Sequence, residues 1–91
     1  MVNSQQFINA SNTVQKLNNT PTNEELGILY GLYKQATIGD INIIRPSFYQ
    51  IKEGVKWDNW NNNKGKTLYD SEVEYITTVN TMIKKYGFKK T

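Results

Sequence analysis

Residues 22 to 40 read TNEELGILYGLYKQATIGD, and this stretch decides the class of fold. Thr22 followed three residues later by Glu25 is a capping box, in which the hydroxyl accepts from a helical amide and the carboxylate accepts from the cap amide. Glu24 and Glu25 also stand at the positive end of the helix dipole. Leu26, Leu29, Tyr33 and Ala36 recur at spacings of three and four and form one stripe, with Tyr30, Lys34 and Thr37 on the adjacent one. The pattern predicts a helix to about Ile38, stopped by Gly39. Gly27 and Gly31 each cost up to ~1 kcal/mol of helix propensity relative to alanine. Two glycines in one helix imply either a closely packed neighbour or a ligand near the backbone, and packing is the preferred reading.

The pattern continues in both directions. Upstream, Phe7, Ala10, Val14 and Leu17 keep the helical period over residues 4 to 17, with Asn3 and Gln6 spaced as a second capping box. The polar run NNTPT at 18 to 22 breaks the chain. Downstream, GDINIIRPSFY at 39 to 49 combines turn formers (Gly39, Asp40, Asn42, Pro46) with Ile41, Ile43, Ile44 and Phe48. So apolar a connection is expected to lie across the molecule and help bury it, and its length allows the helices it joins to run parallel. A third helix is expected over residues 50 to 63, carrying Ile51, Val55 and the core anchors Trp57 and Trp60, with Gly65 ending it. A fourth runs from Thr67 to Tyr86 before Gly87. Its two stripes (Tyr69, Val73, Ile76, Ile83 and Tyr75, Val79, Met82, Tyr86) require neighbours on two sides. Lys84 and Lys85 suit its last turn, and Lys89 and Lys90 read as a frayed tail. The expected architecture is an all-α four-helix bundle in a single domain, residues 1–91.

Composition narrows the chemistry. The 91 residues include no cysteine and no histidine, which removes disulfides, thiolate metal sites and the commonest general base. Catalysis is not expected, nor is a cofactor. The opening MVNSQQFINA lacks the basic-then-apolar pattern of a signal peptide, and no apolar run approaches the ~20 residues of a membrane span, so a cytoplasmic location is expected. The net charge of +3 favours anionic partners by steering without the density of a dedicated nucleic-acid binder.

Within this frame Tyr30, Tyr33 and Lys34 lie within one helical turn, presenting two phenols and an ammonium together. The later string KWDNWN, residues 56 to 61, adds Lys56, and Lys52 shares its face at i, i+4. A phenol ring can stack on a purine, and two lysines can neutralise a phosphate monoester through bonds of ~1.5–3 kcal/mol each. The same residues also fit a plain alternative, in which the tyrosines are core and the lysines a solvated face. Asp58, with no nucleophile or partner acid beside it, reads as a surface carboxylate.

The strings YGLYKQATIGD, RP, KWDNWN and the closing YI with KKYG resemble, in order and spacing, the acyl-CoA-binding protein family, from Phe7 to Tyr86. That resemblance implies an up-down-down-up bundle that binds and transports medium- to long-chain fatty acyl-CoA without catalysis. It implies ligand contacts along Tyr30, Gly31, Leu32, Tyr33 and Lys34, and from Lys52, Lys56 and Tyr75. Tyr33 would stack on the adenine, Tyr30, Lys34 and Lys56 would hold the 3′-phosphate, and Tyr75 would lie near the thioester. Ala10, Leu26 and Ile28 would line the acyl groove. The chain departs from the family pattern at Gln15, where a basic residue is usual (Lys16 is adjacent), at Gly54 within KEGVKW, where a lysine is usual, and at Gly27, where a larger apolar residue is frequent. A monomer is expected, with transient contact to membranes or acyl-CoA-using enzymes and no nucleic-acid partner. Two competing readings are a nucleic-acid-binding helical domain, which would show steep salt dependence, and a scaffold that seats a partner helix in the same groove.

Overall fold

The computed structural model describes residues 3–88, which form four α-helices: α1 Gln5–Val14, α2 Asn23–Thr37, α3 Ile51–Asn61 and α4 Leu68–Tyr86. The capping box at Thr22 is present in both directions, Glu25 N donating to the Thr22 hydroxyl at 3.1 Å and Thr22 N to the Glu25 carboxylate at 2.8 Å. Thr67 caps α4 in the same way by accepting from Asp70 N. At α1 the cap is Ser4, not Asn3, because Asn3 is engaged elsewhere: its amide donates to the Ala36 carbonyl and to the buried Glu72 carboxylate. α1 and α3 each end earlier than their periodicity suggests, at Val14 and Asn61, and the turns that follow carry the chain away. Lys89 and Lys90, read above as a tail, lie outside the described residues.

Cross-helix contacts give the direction of each helix. Ser4 N meets Glu72 and Leu17 pairs with Phe88, so α1 and α4 run the same way. Glu25 meets Lys85 while Gln35 reaches the Lys66 carbonyl at the other end, so α2 is antiparallel to α4. Lys56 sits by Tyr30 and Trp60 by Lys34, so α3 is parallel to α2. The order is up-down-down-up. The core lies among α1, α2 and α4, where Phe7, Leu29, Leu32, Ala36, Tyr75, Val79 and Met82 are buried. α4 packs against both α1 and α2, as its two stripes require, although Tyr69 and Val73 at the start of one stripe remain exposed.

α3 is different. Among the helices it packs on α2 alone, and it buries only Gly54 and Trp60. Trp57 is half-buried, so one of the two expected anchors is a true core residue. The α2–α3 contact is close because α2 has no side chain there: a Cβ on Gly31 would lie 2.2 Å from the Asn59 carbonyl oxygen, and one on Gly27 2.6 Å from the Asn59 amide nitrogen. The remaining connection does not cover the bundle. Ile43, Ile44 and Phe48 are exposed at 57%, 92% and 89%, which overturns the expectation that this loop is buried. The physical reason is that its anchors are polar: Trp57 and Trp60 donate to the Ile43 and Gly39 carbonyls, and Arg45 grips Asp58 through two bonds of 3.0 Å. Asp58 is therefore the loop's clamp and not a bare surface acid.

Two expected outcomes follow from these contacts. At Gly31 the obstacle is backbone, so Gly31→Ala must separate the helices, and overpacking of ~1–3 kcal/mol outweighs the ~1 kcal/mol gained in propensity. At Gly27 the obstacle is the end of a side chain, so Gly27→Ala should be neutral or stabilising; denaturant titration of both separates the two cases. Glu25 is held down to about 2, first by the Tyr86 hydroxyl, then by the Thr22 amide and Lys85. Its folded pKa lies below its unfolded one, so its contribution is complete above about pH 4.5 and is lost as pH falls towards 2. Thermal midpoints should therefore fall across that window, and Glu25→Gln should flatten the fall.

Candidate functional site

Parallel packing of α2 on α3 brings the sequence-predicted cations to one ring. The Lys34 ammonium lies 5.9 Å from the Tyr30 centroid and 5.3 Å from that of Trp60, and the Lys56 ammonium lies 5.8 Å from Tyr30. Cation–π contacts of this kind are worth ~0.5–1 kcal/mol at exposed sites. Here they direct two like charges from different helices at one half-buried phenol. Among the described residues Lys34 and Lys52 have no carboxylate within ion-pair distance, and Lys56 has only Glu53 at 3.9 Å.

Tyr33 is one turn further along α2. Its ring stacks on Phe7 at 5.5 Å and 24°, and lies 6.0 Å from Tyr75, itself 4.9 Å from Phe7. Phe7 covers one face of Tyr33, and the tyrosine is 42% exposed, so the opposite face is available to a flat ligand. Tyr75 is buried, and desolvation, then the neighbouring Tyr33, push its phenol up to about 12, so it remains neutral at ordinary pH.

Two clefts meet at this cluster. The first, about 600 Å³, is walled by the end of α1 (Ser11, Val14, Gln15), the 19–21 turn, Leu29, Tyr33 and Tyr75. The second, about 500 Å³, lies between α2 and α3, with Gly27, Ile51 and Val55 as apolar walls and Lys52, Lys56 and Asn59 as its polar contacts. Leu26 and Tyr30 belong to both, and so form the ridge between them. Cavities of this size suit ligands of a few dozen atoms. A polar, aromatic compartment beside an apolar one, with two ammonium groups at the divide, is matched to an amphipathic anion.

The structure thus brings Tyr30, Tyr33, Lys52, Lys56, Tyr75 and Leu26 to the two clefts, whereas Lys34 lines neither and meets the site through the Tyr30 ring. Leu32 is buried in the core, and Gly31 faces Asn59 across the α2–α3 contact. Ala10 opens onto a separate cleft with α4, and Ile28 onto another beside Asn62 and Glu74. Of the two residues at the first helix's departure from the family pattern, Gln15 lines the first cleft and Lys16 does not. Gly54 lies beneath Arg45, whose guanidinium would stand 3.1 Å from a Cβ there. Sequence reasoning missed the second cleft's Asn59 and the wall of the first cleft formed by the 19–21 turn, because neither carries charge or periodicity. The Gly27–Gly31 pair was the available signal for Asn59. No group of His, Cys, Asp or Glu suited to a metal occurs among the described residues.

Comparison with known proteins points to one family. The family profile described as "Acyl CoA binding protein" matches residues 4–79. The acyl-CoA-binding protein of Saccharomyces cerevisiae is 43% identical over 84 residues, spanning 92% of this chain and 97% of the relative. That of Brassica napus is 46% identical over 70 residues, 77% of this chain and 76% of the relative. Among solved structures, Oryza sativa acyl-CoA-binding protein 2 superposes with a TM-score of 0.85 at 34% identity, covering 89% of this chain and 88% of that one. The ACBP of Moniliophthora perniciosa gives 0.85 at 30% identity, with 92% and 83% covered.

Proposed function

The chain belongs to the acyl-CoA-binding protein family, and on that premise we propose that it is a non-catalytic carrier of medium- to long-chain fatty acyl-CoA esters, built as a single domain. The observation that carries the reading is that the Lys34 and Lys56 ammonium groups, from two helices, lie 5.9 and 5.8 Å from the centroid of the Tyr30 ring, which forms the ridge between a polar cleft and an apolar one. An acyl-CoA ester has the same plan: an aromatic, multiply anionic head joined to a hydrocarbon chain.

In this reading the adenine end of the head group takes the first cleft, and its phosphates reach over the Tyr30 ridge to the lysines at the edge of the second. The adenine stacks on the open face of Tyr33, and the 3′-phosphate lies against Lys34, Lys56 and the Tyr30 hydroxyl. Tyr75, neutral and therefore still a donor, faces the thioester end. Gln15 offers a hydrogen bond where a lysine would offer charge. Lys52 adds a further head-group contact. The acyl chain follows Leu26 into the second cleft, beside Ile51 and Val55. Gly31 and Leu32 act from beneath, Gly31 by setting the helix spacing and Leu32 by anchoring α2 in the core. Ala10 and Ile28 open onto other clefts and stay outside this groove.

Energetics favour the plan. Burying about 14 carbons stabilises by roughly 10 kcal/mol before ordering costs, at ~0.8 kcal/mol per methylene. Phosphate contacts at ~1.5–3 kcal/mol each then discriminate the CoA ester from the free acid. No described helix is long and apolar enough to cross a membrane. A monomer that works in the cytoplasm, exchanging its ester with membranes or enzymes by transient contact, completes the proposal.

Calorimetric titration of Tyr33→Ala and Lys34→Ala tests the assignment. Both variants should keep the wild-type circular dichroism. Each should bind myristoyl-CoA about 10- to 100-fold more weakly, the equivalent of ~1.4–3 kcal/mol. The loss in Lys34→Ala should shrink markedly with the 3′-dephospho ester. Unchanged affinity in both variants, or an undiminished Lys34→Ala loss with the dephospho ester, would overturn the phosphate site.

A further inference from the structure

The connection between α2 and α3 is fastened through polar groups and leaves its large apolar side chains exposed. Polar contacts fasten it: Gln35 Nε2 and Gly65 N donate to the Asp40 carboxylate, Trp60 Nε1 to the Gly39 carbonyl and Trp57 Nε1 to the Ile43 carbonyl, all 2.8 Å, and Arg45 to Asp58. What remains outside is Ile44 at 92% exposure, Phe48 at 89%, Tyr49 at 72% and Ile51 at 73%. None of the four belongs to the core cluster. Phe48 and Tyr49 meet edge to face at 5.9 Å, so they project as one body. Large apolar side chains concentrated like this on a monomer's surface mark an interaction site.

Two features identify the partner. Ile51 and Val55 are exposed and also wall the second cleft, so the patch runs without a break into the groove assigned to the acyl chain. Lys52 and Lys56 stand on the same stretch of α3, whereas the Arg45 charge is already matched by Asp58. Projecting aromatic and aliphatic side chains beside ammonium groups suit the boundary between headgroups and acyl chains, which accommodates such shapes without a preformed hole and supplies phosphate acceptors. We propose that the surface formed by Ile44, Phe48 and Tyr49 of the loop and Ile51 at the start of α3 docks on a bilayer carrying anionic headgroups, with Lys52 towards the headgroups and the mouth of the second cleft facing the lipid. This rests on the carrier reading for its purpose, and names the surface at which the ester is exchanged. A single short loop gives weak, reversible adsorption, as a carrier requires.

The test uses the full chain without ligand and the double variant Ile44→Ser, Phe48→Ser. Both side chains line neither cleft, so fold and ester affinity should be unchanged. In vesicle flotation the wild type should partition onto phosphatidylcholine–phosphatidylserine vesicles at least about tenfold more strongly than the double variant, and should be weakened in about 0.5 M salt. Equal partition of the two proteins, absence of wild-type binding, or a dimer in sedimentation velocity that the double substitution abolishes would each overturn the proposal. Titration of both proteins with myristoyl-CoA separates the two claims. Normal ester affinity without vesicle binding removes the docking surface alone, and vesicle binding without ester affinity removes the carrier reading alone.

Discussion

The close approach of α2 to α3 at Gly31, where the Asn59 carbonyl occupies the space of a missing side chain, is the contact on which the rest depends. It sets the spacing of two parallel helices that have little else in common. With that spacing, Lys34 from one helix and Lys56 from the other reach the same phenol ring, and the groove between the helices stays open above Gly27. A larger residue at position 31 would separate the cations and alter the groove in a single step. Parallel neighbours also require a long connection, since the chain must travel back along the whole helix before starting again. The loop from Gly39 to Gln50 is the consequence, and its exposed apolar side chains come with it.

Stability and function are divided between two parts of the bundle. α1, α2 and α4 share the buried core, and polar tethers tie their ends: Glu25 to Tyr86 and Lys85, Glu72 to Asn3 and Ser4. α3 buries only Gly54 and Trp60 and is otherwise held by indole and guanidinium hydrogen bonds. A helix with so little burial sits at the low-stability end of a structure, where local opening is easiest. It is also the helix whose side chains remain free to meet a ligand. Occupation of the second cleft would add apolar contacts where the free protein has fewest, so ligand binding and the order of α3 are linked.

Much of this was legible in the sequence because it depends on local rules. Thr22 with Glu25 and Thr67 with Asp70 mark real helix starts, and Gly39, Gly65 and Gly87 adopt the positive φ that ends a segment. The convergence of Tyr30, Lys34 and Lys56 was suggested by spacing, and the parallel direction by loop length. The misreadings have a common cause, which is that a non-local contact prevailed over a local pattern. Asn3 has the composition of a cap but is drawn to Glu72 and Ala36, leaving Ser4 to cap α1. Isoleucines and Phe48 in the long loop suggested burial, yet the Trp57, Trp60 and Arg45 side chains fix the loop by its carbonyls and by Asp58. Asn59 gave no sign of its importance, because its part is played by a backbone carbonyl and an uncharged amide.

The central claim is that Tyr30 and Leu26 join two clefts into one site that reads both halves of its ligand. Calorimetric titration of the wild-type chain with myristoyl-CoA, free myristate and free CoA tests it most directly. The account predicts tight one-to-one binding of the ester and far weaker binding of either half alone. Binding of free myristate as tight as that of the ester would contradict it, as would no binding of the ester at all.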